Sequence, residues 1–125
     1  MKISFLCVLI AGLLPYMGTM AAKWGFRRYD NHNPRQWLGE QTGFRARGNA
    51  AQANSFEVLP FFIGAVIIAH QLGARQTWLD LLAMLFIMLR IFYIMMYVSN
   101  MPTARSAVWG AAFFVNIAIL FVGYH

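Results

Sequence analysis

With 125 residues, 60% of them hydrophobic and 11% charged, the chain has less than half the charged fraction of an ordinary soluble domain, about 25%. Together with a mean hydropathy of +0.55, that composition excludes a water-covered globular surface. The formal charge of +6 would suggest nucleic acid in a soluble protein, but here the position of the charges argues otherwise. Lys23, Arg27, Arg28, Arg35, Arg45 and Arg47, six of the ten basic residues, lie between the first apolar stretch and the second. That distribution retains a loop in the cytoplasm and is not a nucleic-acid surface.

One bilayer crossing takes about 20 apolar residues, so the chain has room for four crossings in a single domain. The first is predicted over roughly 3–22, and it contains Gly12, Pro15 and Gly18, which membrane helices tolerate. A cleaved signal peptide is the competing reading, suggested by Lys2 and the small pair Ala21-Ala22. The apolar run exceeds the roughly 7–15 residues of such a segment, which favours a retained span. Cys7, the single cysteine, falls inside this run, so neither an internal disulfide nor a metal-ligand spacing exists, and a buried structural thiol is expected.

Residues 23–48 are polar, with a turn at Asp30-Asn31-His32-Asn33-Pro34 and breaks at Gly39 and Gly43. A solvated, positively charged connection is expected there, with a lid over a site as the alternative. The remaining spans are predicted over roughly 49–72, 77–98 and 104–123, and their short connections make consecutive helices antiparallel neighbours. The positive-inside rule puts loop 23–48 and the turn after the third span in the cytoplasm, with both termini and Arg75 on the opposite side. The fold class is all-α, an integral membrane four-helix bundle.

An ionisable side chain well inside a membrane helix is costly and marks function by default. Glu57 and Arg90 stand out. Asn54 and Glu57, three apart, share a face of the second span; Arg90, Tyr93 and Tyr97, spaced by three and four, share a face of the third. Both stripes lie toward the loop side, as do Arg105 and Ser106 at the start of the fourth span. One cavity is therefore expected to collect Arg47, Asn54, Glu57, Arg90, Tyr93, Tyr97 and Arg105. A Glu57–Arg90 ion pair that merely holds the bundle is the alternative. One glutamate cannot neutralise Arg47, Arg90 and Arg105, however, and arginine grips carboxylate or phosphate in two-pronged fashion, so an anionic guest is expected. Plain structural readings suffice elsewhere: His70 and the tryptophans Trp24, Trp37, Trp78 and Trp109 as interfacial or loop residues, Asn116 as helix-packing glue, and Met84, Met88, Met95 and Met96 as lipid-facing or core residues.

The segment Ala51-Gln52-Ala53-Asn54-Ser55-Phe56-Glu57-Val58-Leu59-Pro60 resembles the signature of the MAPEG superfamily, the membrane-associated proteins of eicosanoid and glutathione metabolism. Asn54, Glu57 and Pro60 match its N-x-x-E-x-x-P core. Arg90-Ile91-Phe92-Tyr93 with Tyr97 is similar to the family's third-helix pattern, and Pro102-Thr103-Ala104-Arg105-Ser106 to the start of its fourth helix in prostaglandin E synthases. The three motifs, in order, cover nearly the whole chain.

The resemblance implies a homotrimer with glutathione between adjacent subunits near the cytoplasmic face. Asn54, Glu57, Arg90, Tyr93 and Tyr97 would contact glutathione, with Arg47 a further candidate. Arg105 and Ser106 would act catalytically near the sulfur, where positive charge or a hydroxyl raises the thiolate fraction. The thiolate would attack a hydrophobic electrophile arriving from the membrane lipids. The chain departs from the pattern at Ala50 and Ala53, where many relatives carry arginine. The leading expectation is a glutathione-dependent transferase or peroxidase. A noncatalytic lipid-binding protein of the same fold is the alternative, since the family contains such a member. A small proton-coupled exporter using Glu57 is the third reading.

Overall fold

The computed structural model describes residues 2–26 and 28–124. Arg27, one of the six basic loop residues, lies outside them, as do Met1 and His125. Among the described residues six α-helices follow one another: α1 (Ile3–Leu13), α2 (Pro15–Ala22), α3 (Pro34–Gly39), α4 (Gly43–Gln71), α5 (Gln76–Val98) and α6 (Pro102–Val122). Four helical stretches among the described residues are long and apolar enough to cross a membrane, with α1 and α2 together forming the first over Ile3–Ala22. Backbone helicity runs through Leu14 (φ −58°, ψ −37°). Pro15 therefore removes one ladder donor without ending the span.

The two tight turns between spans use the same helix-ending device. After α4, Gly73 adopts φ +77°, and the N–H groups of Ala74 and Gly73 donate to the carbonyls of Ala69 and His70. After α5, Asn100 adopts φ +60°, and Met101 and Asn100 donate to Met96 and Tyr97. Both are Schellman endings, in which a left-handed residue turns the chain and satisfies carbonyls left over at the helix end. Pro102 at the first position of α6 then starts the next helix.

Between helices in lipid there is little hydrophobic drive to associate, so close packing must hold the bundle. The tightest crossing is between α2 and α4. A Cβ on Gly18 would lie 2.6 Å from the Gly48 carbonyl oxygen, and one on Gly48 would lie 2.8 Å from that of Gly18. Only glycine permits this approach. Elsewhere Phe62, Val66, Leu79 and Ile119 are fully buried, and Phe62 stacks on Phe86 with ring centres 4.3 Å apart. Met84, Met88 and Met95 are exposed on α5, as lipid-facing side chains are.

The ends of the spans are tied by polar groups reaching across from other helices. Arg45 Nη1 donates to the carbonyl of Ala22, the last residue of α2, at 3.1 Å. Arg47 Nε donates to that of Val98, the last residue of α5, at 3.0 Å. Both cations sit where the helix dipole favours positive charge. At the opposite end Asp80 Oδ1 accepts from the Ser4 N–H at 2.9 Å and from Gln76 Nε2 at 2.6 Å. A carboxylate on α5 thus caps the N-terminus of α1, a role for which the sequence offered one sign: Asp80 stands four residues after Gln76, near the start of a span.

Loop 23–48 is more structured than a solvated connection. Pro34 opens α3 and the chain breaks at Gly39. Trp37 and Leu38 are buried against Ala22, with Tyr29 packed beside them. The Tyr29 and Trp37 rings meet edge to face at 5.0 Å. Two large apolar residues in adjacent positions could not both face water, so the loop folds back on the bundle.

Candidate functional site

Helix α4 runs from Gly43, so Asn54 and Glu57 lie well inside a continuous helix, on the face turned toward α5 and α6. Arg90 is only 1% exposed. Its Nη2 donates to Asn54 Oδ1 at 2.7 Å, and its guanidinium carbon stands 4.1 Å from the centre of the Tyr93 ring. Asn54, rather than Glu57, is the partner. Glu57 lies three residues further along α4, about 60° around the helix from Asn54; it is exposed and borders the same space between α4, α5 and α6. Among the described residues the buried positive charge therefore has a neutral partner and an aromatic face but no carboxylate in an ion pair with it. Nη1 of Arg90 is buried and lacks a hydrogen-bond partner among the described residues.

That bare donor belongs to a residue lining a cavity of about 240 Å³ between α4, α5 and α6. Asn54, Glu57 and Arg90 form its polar end; Val58, Phe61, Phe86, Ala112 and Phe113 form the apolar remainder, with Asn116 among them. Asn116 is 2% exposed, and its Oδ1 also lacks a partner among the described residues. The expected role as packing glue would have given this oxygen an interhelical bond, which it does not make.

A second cavity, of about 230 Å³, is lined by Tyr93, Tyr97, Arg105, Ser106 and Trp109. Arg105 holds its guanidinium 4.3 Å from the centre of the Tyr97 ring, and Tyr93 meets Tyr97 edge to face at 5.7 Å. Trp109 lines both cavities and stacks on Phe113 at 5.4 Å. The single cavity expected from the sequence is thus two, meeting at Trp109, because a residue one turn beyond Arg105 on α6 fills the space between them. Arg47 lines neither; its Nε is committed to the Val98 carbonyl. Trp109 and Asn116 join the site through the face they share with Arg105, at steps of four and seven residues along α6.

Chemically, the arrangement offers an anion a buried guanidinium with one free edge, a second guanidinium beside two phenols and a hydroxyl, and an apolar compartment reached from the same wall. It is the layout of a multi-pass membrane protein with cationic and apolar compartments side by side inside a helical bundle. The match to the MAPEG family model extends over residues 3–124, and the chain belongs to that family. The family includes glutathione transferases and peroxidases and also noncatalytic members. Neither the comparison with curated proteins nor that with solved structures returns a match.

Proposed function

We propose that the protein is a membrane-bound, glutathione-dependent transferase or peroxidase acting on lipophilic electrophiles. The observation that carries the reading is the unpaired Nη1 of buried Arg90 at the polar end of the larger cavity. A buried cation without a counter-charge costs several kcal/mol, and a carboxylate of glutathione would supply that charge through a two-pronged contact. Glu57, at the same end, suits the peptide's amino group. Tyr93 and Tyr97 line the route toward Arg105 and Ser106, whose charge and hydroxyl would favour the thiolate. The carbon–sulfur bond forms as the electrophile's leaving group departs; with a peroxide, the thiolate attacks the terminal oxygen, the O–O bond breaks, the alcohol leaves with a proton from water, and a second glutathione converts the sulfenic acid to disulfide and water.

In this reading glutathione lies between copies in a homotrimer, in keeping with the exposure of Glu57 in a single chain, and loop 23–48 faces the cytoplasm. The absence of arginine at Ala50 and Ala53 favours a second reading, a noncatalytic lipid-binding member of the same fold. The two are separated by mixing detergent-purified protein with glutathione and a generic aryl halide. Conjugation in the wild type, lost in Arg105→Ala while glutathione binding persists, supports the enzyme. Failure of glutathione to bind at millimolar concentration overturns it, and native mass spectrometry of the same sample reads the oligomer.

A further inference from the structure

The inner end of the larger cavity poses a separate question, because its walls are apolar except for one amide. Trp109, Ala112 and Asn116 lie on one face of α6, at steps of three and four residues. Asn116 is seven residues past Trp109, roughly 10 Å deeper along the helix. At that depth the cavity is bounded by Phe61, Phe86 and Phe113. Asn116 Oδ1 is buried there, facing no donor among the described residues.

An amide oxygen left without a donor in an apolar surrounding loses the hydrogen bond it would make in water. A leucine would fill a similar volume without that cost, so the oxygen makes sense where a guest brings a donor. The guest's chemistry is limited by the neighbours. An ammonium donor would lose its water among phenylalanines, away from Glu57 at the polar end, and a carboxylate has no hydrogen to give. A peptide-like amide would bury a carbonyl among phenylalanines. A hydroxyl on an apolar body supplies the donor with the smallest polar burden.

We infer that the inner end of this cavity binds a lipophilic alcohol, whose hydroxyl donates a hydrogen bond to Asn116 Oδ1 while its apolar body lies against Phe61, Phe86 and Phe113. The alcohol's body then points along α6 toward Trp109 and the second cavity. Asn116 selects among apolar guests, and the polar end is left to the anion. The inference deepens the transferase reading by naming a feature of its lipophilic substrate, and it is measured without glutathione, so failed conjugation and failed alcohol binding are separate results.

The test uses three probes of equal chain length: ω-bromodecanol, its methyl ether and bromodecane, added to full-length protein in phosphatidylcholine vesicles. Bromine quenches nearby indole, and Trp109 is made the sole reporter by Trp24→Phe, Trp37→Phe and Trp78→Phe. The alcohol should bind about tenfold more tightly than the ether or the alkane, the advantage of a donor that satisfies a buried acceptor. In Asn116→Leu the alcohol's advantage over the ether should fall to about onefold, with alkane binding retained. Equal binding of alcohol and ether to the parent protein overturns the inference without recourse to the variant, because the ether can accept but not donate. So does an alcohol preference that survives Asn116→Leu.

Discussion

Adding one methyl group at Gly48 should loosen the whole loop-side half of the bundle. A Cβ there would sit 2.8 Å from the Gly18 carbonyl oxygen and 2.9 Å from the Ala22 nitrogen. Both are backbone atoms of α2, so no side chain can swing aside. Restoring an ordinary contact of about 3.5 Å requires α2 and α4 to separate by roughly 0.7 Å. The Arg45 bond to the Ala22 carbonyl, already 3.1 Å long, bridges the same two helices and weakens with that movement. Overpacking of this kind costs about 1–3 kcal/mol, and loss of a C-terminal cation adds about 0.3–1 kcal/mol. A total near 2 kcal/mol lowers the unfolding midpoint by about 8 °C on the scale of domains this size.

The protein carries its own reporter for this measurement. Cys7 is the single cysteine and is only 3% exposed, so a thiol-reactive dye in detergent reads unfolding directly. Gly64 lies on the same helix with no atom within 4 Å of a built Cβ. Gly64→Ala should therefore leave the midpoint unchanged or raise it, since alanine is the better helix former by about 1 kcal/mol. A Gly48→Ala protein that melts with the wild type, or together with Gly64→Ala, would refute the claim that close backbone approach at Gly18 and Gly48 holds α2 on α4.

Two further substitutions probe the opposite end and the centre. Asp80→Ala removes the carboxylate that accepts from the Ser4 N–H, and loss of such a cap costs about 1 kcal/mol; Cys7, one turn further along α1, should react about fivefold faster with the dye below the melting range, while Asp80→Asn, which keeps an accepting oxygen, should not. Arg90→Met should leave the stability within about 1 kcal/mol of wild type, because losing an uncompensated buried charge offsets the orphaning of Asn54 Oδ1. Glutathione binding, measured by calorimetry on the same sample, should fall at least about tenfold; collapse of the fold with no separable binding loss would make Arg90 a structural residue instead.

The spans were legible because bilayer thickness fixes the length of an apolar run, and the sequence breaks those runs with Gly73, Asn100 and Pro102, where the chain turns. The α2–α4 crossing was not, since nothing in the local pattern of Gly18 or Gly48 says that each faces the other across thirty residues. Loop 23–48 carried its signal in plain view: Pro34 and Gly39 bracket Trp37 and Leu38 as the start and stop of a short helix. The weight of surrounding charge pointed instead to a solvated connection. At the site, spacing identified the faces carrying Asn54, Arg90, Tyr93 and Tyr97. It could not say which acceptor Arg90 meets, because that depends on rotation of α4 by a fraction of a turn. Asn116 was misjudged for a related reason: a buried amide is packing glue only when the helix opposite provides a partner.

What the packing adds is a contrast between the groups that tie helix ends and Arg90, which ties α5 to α4 through Asn54 yet keeps one donor unpaired among the described residues. Arg45 and Arg47 close carbonyls at one end, Asp80 closes a helix at the other, and the glycine crossing joins α2 to α4. Each is satisfied within the chain. Arg90, the one fully buried charged side chain among the described residues, retains an unpaired N–H at a cavity. An apolar residue would pack there at lower cost. On the proposed reading, the expense of keeping a cation in the middle of a membrane bundle serves a guest as well as the α4–α5 contact, and that guest is an anion.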